Sequence, residues 1–457
     1  MVPPHHIRSL GGITIARARV PSITQSTPSR QHAPNRQLRR WLASELGRLR
    51  PQIVASAARC RAERYRKHFD SFAHACLLLF HGFGATESLR ESYAAFAPCS
   101  GLLAVSGLAS GADPDDGRIG VSYSQFADSN TTRPADFLGQ LIPSLVARVR
   151  QYGRSPAISL PPELQVLDST FLRLSLLLAP WLPNEGKADV PGLRLQVRYT
   201  PALDLPEHIL ITDTRSNDCQ GLDKAILDDP VQLAALRERT LAIDLGYYSH
   251  RRFQRLLAAG VHFVSRLQQQ AMVRFEADLP VQQPLPQLDG GRIALLRDQR
   301  VILGSPNNRA GAVLPGLRLV TARVQPLAKA ARQGAQPVTY QLLTDRWDLD
   351  AADVVQLYLW RWQIELFFRW LKSHVHLPRV LGYSRNAVEL TVWLAIIVHL
   401  LTLLAMRSLG LARRVPGLLR QIGRLLSQLV PSDLQAPASV PQQLAFPGWD
   451  LHPLPPT

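Results

Sequence analysis

One stretch of the sequence, Leu349 to His376, constrains the fold more than any other. It reads LDAADVVQLYLWRWQIELFFRWLKSHVH and contains neither glycine nor proline. Asp348 and Asp350 both stand where an N-cap is needed, so the stretch predicts one long helix. Bulky apolar side chains cover nearly all of its surface, which is typical of a buried helix.

A polar stripe runs along this otherwise apolar helix. At about 100° per residue, four polar side chains fall within an arc of roughly 60°: Tyr358, Arg361, Glu365 and Lys372. A polar stripe on a buried helix needs either a partner that neutralises it or a functional cleft. An intrahelical ion pair between Arg361 and Glu365 is the simpler alternative, since they are four residues apart, but it leaves the tyrosine and the lysine unexplained.

Two aspartates upstream interrupt or close apolar strands. Asp168 lies within LQVLDSTFLRLSLLL, which has the composition of a buried strand, so it is either the cap of a turn or a ligand. Asp244 closes a predicted strand at the end where ligands enter an α/β sheet. The remaining aspartates of this region lie in polar loop text and are predicted to be surface residues: Asp204, Asp213, Asp218, Asp223, Asp228 and Asp229.

These residues carry a resemblance to a known family. The spacing Y-x-x-R-x-x-x-E-x-x-x-x-x-x-K resembles the signature of the DDE transposases of bacterial insertion sequences, in the YREK group of insertion-sequence-four type. The phrases D-S-T at Asp168 and D-x-G-Y at Asp244 resemble the first two positions of that family's acidic triad. The resemblance implies an α/β fold with a ribonuclease-H-like catalytic core, in which Asp168, Asp244 and Glu365 are catalytic and bind metal.

The resemblance also implies a chemistry and a set of partners. The expected cofactor is a pair of Mg²⁺ ions, for which Mn²⁺ can substitute, because carboxylate oxygens suit hard cations. Tyr358, Arg361 and Lys372 would contact terminal phosphates of double-stranded DNA, at the inverted-repeat ends of the element and in the target. Strand cleavage and strand transfer would proceed by in-line phosphoryl transfer, in a dimer that forms the synaptic complex. The rival hypothesis is a catalytically inactive DNA-binding relic.

The chain divides by composition into several segments. Its 457 residues exceed one core, so two or three units are expected. Residues 120–151 resemble the helix-turn-helix segment that precedes the catalytic core in these transposases, and the interval between Asp244 and Glu365 is too long for a loop. The predicted division is a disordered segment 1–36, an N-terminal helical DNA-binding region 37–155, a catalytic core 156–270 and 340–410, a β-rich insertion 271–339, and a C-terminal helix with a Pro-rich tail 411–457.

Aromatic and basic side chains are further candidates for contacting DNA. Trp347, Trp360 and Trp362 could stack on a flipped base, with core packing expected for at least two of them. The insertion carries basic residues that the resemblance places near the transposon end: Arg292, Arg297, Arg300, Arg309, Arg318 and Arg323. A solvated rim is the alternative for these arginines.

The overall charge supports a polyanionic partner. The net charge is +17, mostly from arginine, and Lys and Arg contacts to phosphate supply affinity that is independent of sequence. The four cysteines show no metal-ligand spacing and are predicted to be reduced core residues. No signal peptide is evident, and the resemblance implies a bacterial cytoplasmic protein that associates with the nucleoid. The run Leu390–Met406 could suit a membrane anchor, but a buried core helix is favoured over membrane attachment.

Overall fold

The computed structural model describes a mixed α/β protein. Residues are described over 32–63, 69–84, 88–109, 119–152, 163–174, 180–182, 192–213, 216–281, 293–306, 312–326, 331–374, 380–411 and 415–434. The predicted disordered segment 1–36 lies almost wholly outside these ranges, as does most of the Pro-rich tail.

The N-terminal part of the described chain is helical. Several of its helices begin at side-chain caps that accept from the first turn: Asp70 from the Ala73 amide, Ser88 from Glu91, and Ser122 in a reciprocal capping box with Gln125. The helices are α1 His32–Arg59, α2 Ser71–Phe83, α3 Leu89–Phe96, α4 Ser100–Ser106, α5 Tyr123–Thr132, α6 Asp136–Gly139 and α7 Ile142–Gln151. Helix α4 ends at Gly107, which has the left-handed conformation that favours glycine.

A sheet of nine strands forms the centre of the described molecule, in the order β3-β2-β1-β4-β5-β9-β8-β7-β6. Its first five strands in chain order are β1 Leu164–Arg173, β2 Gly192–Thr200, β3 Leu205–Asp213, β4 Thr240–Ile243 and β5 His262–Arg266. Strand β2 pairs antiparallel with both β1 and β3, whereas β4 and β5 run parallel to β1. Between β3 and β5 lie α8 Asp218–Leu222, a π-helical turn Asp223–Leu227, α9 Pro230–Ala234, a 3₁₀ turn Leu245–Tyr247 and α10 His250–Ala258.

The predicted β-rich insertion is a continuation of the same sheet. Its strands are β6 Val273–Asp278, β7 Ile293–Leu303, β8 Leu314–Val324 and β9 Val338–Thr344. Antiparallel pairing joins β6 to β7, β7 to β8 and β8 to β9, and β9 in turn pairs with β5. The insertion therefore shares backbone hydrogen bonds with the strands of the core.

The predicted long helix is two helices, α11 Ala351–Trp360 and α12 Trp362–His374. At Arg361 the backbone hydrogen bonds tighten, because the Arg361 amide donates to the Tyr358 carbonyl and the Ile364 amide donates to the Arg361 carbonyl. These bonds span three residues, as in a 3₁₀ turn. Asp350 occupies the N-cap position of α11, but its side chain makes no capping bond.

Two further helices complete the described fold, α13 Arg385–Ser408 and α14 Val415–Ser427, followed by a 3₁₀ turn Pro431–Leu434. By length and composition α13 is the one described helix that could cross a membrane, yet 89% of its most apolar window is buried inside the protein. It packs against α2, α5, α6, α7 and α14. The prediction of a buried core helix is thus confirmed for this segment.

Three apolar clusters hold these layers together in the described chain. The largest joins the helical bundle, α12 and α13 to one face of β1, β2 and β3. A second lies on the opposite face, under α8 to α10, and a third lies between α11 and the insertion strands. The glutamate-bearing helix α12 therefore packs on the face of the sheet that also contacts the bundle.

Candidate active site

Strand pairing brings the two predicted aspartates to the same place. Strands β1 and β4 are parallel and in register, with Leu167 opposite Ile243 as their last pair. Asp168, in the middle of β1, and Asp244, the first residue after β4, come next in the two segments, so they stand side by side where β1 and β4 part. Neighbouring carboxyl ends of parallel strands are where α/β sheets commonly place ligands.

Arg361 connects Asp168 to the helix. Its Nη1 donates to Asp168 Oδ2 at 2.9 Å, and its Nη2 donates to Glu365 Oε1 at 3.1 Å. The Arg361 side chain is only 10% exposed. Burial acts to lower the pKa of Arg361, but the charges of Asp244, Tyr358, Asp168 and Glu365 outweigh it, and the pKa is raised. This guanidinium is therefore held charged among three carboxylates.

The two aspartates have different electrostatic environments. Burial raises the pKa of Asp168 to about 6, helped by the negative charges of Asp244 and Glu365 and opposed by the Ser169 amide and Arg361. Burial also acts to raise the pKa of Asp244, but Arg361, the Leu245 amide and the hydroxyl of Tyr358 outweigh it and lower that pKa. The Tyr358 hydroxyl donates to Asp244 Oδ1 at 2.9 Å.

Lys372 is less closely tied to this cluster than the other three residues of the stripe. It lies two turns beyond Glu365 on α12 and its side chain is exposed. Partial burial, and then the charge of Arg173, lower its pKa. Among the described residues, no hydrogen bond links it to the three carboxylates. The structure thus brings Tyr358, Arg361 and Glu365 to the aspartates and leaves the lysine at the margin.

The donor chemistry of this cluster suits a divalent cation. Three carboxylates face one guanidinium, and their mutual repulsion contributes to the raised pKa of Asp168. Hard cations such as Mg²⁺ prefer carboxylate oxygens. As the side chains stand, no group of three or more His, Cys, Asp or Glu in the described chain is gathered closely enough to hold an ion. Binding of an ion between Asp168 and Glu365 would require Arg361 to move from its present contacts.

The sequence interpretation missed a fourth carboxylate beside the cluster. Asp218, predicted to be a surface residue, is half-buried at the start of α8 and accepts from Ser169 Oγ at 3.0 Å and from Arg194 Nη1 at 2.7 Å. A Cβ on Gly246 would lie 2.4 Å from Asp218 Oδ2. The turn residues around Asp218 gave no sign of this position, because it depends on how β1, β2 and the 3₁₀ turn after Asp244 meet.

The tryptophans also differ from expectation. Trp347 and Trp362 are 38% and 52% exposed, so the expectation that at least two of the three pack in the core was wrong. Trp360 is partly buried against the largest apolar cluster. The guanidinium of Arg300 lies over the Trp347 ring at 4.7 Å from its centre. Trp347 and Trp362 therefore keep ring surface available to a partner.

The insertion arginines fall into two groups. Arg297, Arg300 and Arg323 are exposed. Arg318 is 6% exposed and forms a buried ion pair with Asp298 at 2.7 Å, so the idea that it contacts DNA was wrong. Arg292 and Arg309 lie outside the described residues.

Two proteins similar to this chain are named as transposases. The chain is 29% identical over 285 residues to "Putative transposase y4zB" of Sinorhizobium fredii (strain NBRC 101917 / NGR234), covering 62% of this chain and 70% of that protein. It is 24% identical over 280 residues to "Probable transposase for insertion sequence element IS5377" of Geobacillus stearothermophilus, covering 61% and 66% respectively.

A solved structure and a family model were also matched. The piggyBac transposase synaptic complex with hairpin DNA aligns with a TM-score of 0.33 and 11% identity, over 61% of this chain and 55% of that one. The model of the transposase DDE domain matches residues 159–401, more than half of the sequence, and this span contains both aspartates, Glu365 and the whole polar stripe. The chain therefore belongs to the transposase DDE domain family.

Proposed function

We propose that this protein is a DNA transposase of the YREK group, which cleaves DNA at the ends of an insertion sequence and transfers the strand into a target. The single observation that carries the proposal is the placement of Asp168, Asp244 and Glu365 around Arg361 and Tyr358. Family membership supports a DNA-acting enzyme that depends on a divalent metal, and the positive net charge of +17 suits a polyanionic substrate.

In this proposal the three carboxylates hold a pair of Mg²⁺ ions. When bound, such a pair would supply a nucleophile at neutral pH and neutralise charge on the phosphate during an in-line displacement. Tyr358, Arg361 and Lys372 would bind phosphates at the cleaved end, the arginine as a planar fork and the lysine as a point charge. Arg361 then exchanges its contacts with Asp168 and Glu365 for contacts with DNA.

The surrounding regions take supporting roles. The core 156–270 and 340–410 is proposed to be ribonuclease-H-like, with the helical region 37–155 and the β-rich insertion 271–339 both contacting DNA. The exposed ring of Trp347, at 38%, supports a stacking role for this residue, which lies in the core range next to Arg300 of the insertion. Assembly of two DNA ends would need at least a dimer. The protein is cytoplasmic on this proposal and associates with the nucleoid.

Loss of Glu365 tests the assignment. We expect Glu365→Ala to lose metal-dependent cleavage of a duplex that carries the inverted repeats flanking the gene, while binding to that duplex persists. The matched control is Glu389→Ala, which removes another glutamate paired with an arginine four residues away, Arg385, at 2.9 Å. It should cleave like the unaltered protein.

Two outcomes separate the proposal from its rival. Full cleavage by the Glu365→Ala variant would refute the assignment of this residue. An unaltered chain that binds the repeats but cuts nothing with either Mg²⁺ or Mn²⁺ would identify a catalytically inactive relic.

A further inference from the structure

Two helices from opposite ends of the described chain form one arginine-bearing face. Helices α1 and α14 lie side by side, and Gln421 Nε2, in the middle of α14, donates to Asn35 Oδ1, in the first turn of α1, at 2.6 Å. Further along, Leu426 shares an apolar cleft with Leu42 and Leu46. The two helices therefore run in the same direction.

The arginines of both helices lie on one side of the contact between them. Each residue of a helix is rotated by about 100° from the one before it. Arg36 and Arg40 therefore project to one side of the line that joins Asn35 to Gln421. Because the two helices run in parallel, Arg420 and Arg424 project to that same side from α14. All four side chains are exposed. None of them forms an ion pair with a described residue. We name this set the α1–α14 face.

No acidic side chain of the described residues neutralises the positive charge of this face. The only acidic residue of α1 is Glu45, which is 3% exposed and accepts from Arg148. The sequence of α14 contains none, and the nearby Asp433 is already paired with Arg39 at 3.0 Å. Four uncompensated guanidinium groups on two adjoining helices point to a partner with repeated negative charge.

We propose that the α1–α14 face binds the phosphate backbone of duplex DNA; this rests on the proposed function and adds the C-terminal helix to its DNA-binding surface. An anionic membrane is the weaker fit. Helices that lie on membranes insert large apolar side chains beside their basic ones, and none of the large exposed apolar side chains of the described chain lies on α1 or α14. Duplex DNA requires only the charges.

The double variant Arg420→Gln/Arg424→Gln tests this face. Affinity for a non-specific duplex is measured in EDTA by fluorescence anisotropy over a range of salt concentrations, using the full chain. Each lost phosphate contact lowers the magnitude of the slope of log K against log salt by about 0.9, so we expect a reduction of roughly 1.8. The control is Arg237→Gln/Arg251→Gln, which removes the same charge from exposed positions elsewhere and should leave the slope unchanged.

Each outcome decides the question. Equal slopes for the two double variants would overturn the proposal. So would a loss of binding to phosphatidylserine vesicles without a loss of DNA binding, which would indicate a membrane surface instead. Because EDTA excludes metal-dependent cleavage, a failed cleavage assay leaves this measurement interpretable by itself.

A separate set of contacts carries a second inference, concerning Asp218. This carboxylate accepts from Ser169 Oγ at 3.0 Å, and the Ser169 amide in turn donates to Asp168 Oδ1 at 2.7 Å. On its other side Asp218 packs on Gly246, two residues after Asp244, where any Cβ would lie 2.4 Å from Oδ2. Arg194 Nη1, at 2.7 Å, supplies the balancing charge.

We infer that Asp218 is a positioning residue, which fixes the segment after each catalytic aspartate and so sets the separation of the two carboxylates. Its hydrogen bonds to described residues do not include Asp168 or Asp244, and it acts through Ser169 and Gly246. Residues that orient metal ligands in this way typically alter metal affinity by about 10- to 100-fold when they are removed. This inference also rests on the proposed function.

Mn²⁺ binding to the DNA-free full chain, followed by electron paramagnetic resonance, tests the role of Asp218. We expect Asp218→Ala to weaken binding by about tenfold or more, and Asp218→Asn to recover most of the affinity because its amide oxygen can still accept from Ser169 and Arg194. Gly246→Ala should imitate Asp218→Ala with the carboxylate still present.

The controls make the result decisive. Thermal unfolding of each variant confirms that it is folded, and Glu365→Ala reports loss of a direct ligand. Asp218→Ala binding Mn²⁺ within twofold of the unaltered protein would overturn the positioning role. If the unaltered protein itself bound no Mn²⁺, the proposed function would fail first, and the two failures are distinguishable.

Discussion

Replacement of Arg361 by methionine should make the stability of the protein depend on a divalent cation. The side chain is 10% exposed and holds Asp168 at 2.9 Å and Glu365 at 3.1 Å. Removing one partner of a buried ion pair costs about 3–5 kcal/mol. Because Glu365 is a third exposed and partly screened by water, we expect the lower end, about 3 kcal/mol.

That destabilisation is large enough to measure by heating. The entropy of unfolding is about 2.1 cal/mol/K per residue, so for 457 residues 1 kcal/mol corresponds to roughly 1 °C. The midpoint should therefore fall by roughly 3 °C without added metal. Magnesium should restore most of the loss, since an ion that binds only the folded state stabilises it and now has no guanidinium to displace. The unaltered protein should gain less.

Differential scanning fluorimetry with and without MgCl₂ gives both numbers. Arg369→Met is the control, because this arginine lies exposed on the same helix. If Arg361→Met unfolded at the unaltered temperature, or if magnesium shifted both proteins equally, the guanidinium would not occupy the place of the cation and the reasoning would be refuted.

Three further predictions concern the scaffold. Burial lowers the pKa of His74 from 6.5 to about 3. The contribution of this group to the free energy of unfolding is therefore complete above pH 6.5 and is lost below it by up to about 1.4 kcal/mol per pH unit. In an acid titration, the free energy of unfolding of His74→Gln should fall less steeply with pH than that of the unaltered protein, and equal slopes for the two proteins would contradict this. A Cβ on Gly423 would lie 2.2 Å from a backbone carbonyl oxygen of α2, whereas a Cβ on Gly417 would meet nothing within 4 Å. In denaturant unfolding, Gly423→Ala should therefore be destabilised by about 1–3 kcal/mol. Gly417→Ala should be stabilised by up to about 1 kcal/mol. Arg318→Met leaves Asp298 buried and unpaired and should cost about 3–5 kcal/mol, and adding Asp298→Asn should recover part of this in the same assay.

Local signals predicted the parts of the site that lie on regular elements. The apolar runs around Asp168 and before Asp244 appear as β1 and β4, and the helical spacing that grouped Tyr358, Arg361 and Glu365 is found on α11 and α12. Strand and helix periods depend on near neighbours in sequence, so one sequence is sufficient to find them.

Features that depend on contacts between residues far apart in the chain could not be predicted from the sequence. The polar residues around Asp218 in the sequence predict a surface position, whereas its contact with Ser169 exists only because α8 packs against β1. Arg361, where α11 and α12 meet, contacts Asp168, which is 193 residues away along the chain. Arg318 was predicted to contact DNA because it is a basic residue of the insertion, but it forms an ion pair with Asp298 on the neighbouring strand.

The hydrogen bonding of β9 to β5 has a practical consequence for anyone wishing to isolate the catalytic half. Deletion of residues 273–337 would remove β8, the neighbour of β9 on the side away from β5. Strand β9 would then become an edge strand with unpaired backbone amides and carbonyls. Unprotected borders of this kind invite aggregation. A minimised enzyme would therefore need a replacement strand or a covering loop at that border, and simple truncation should yield insoluble material.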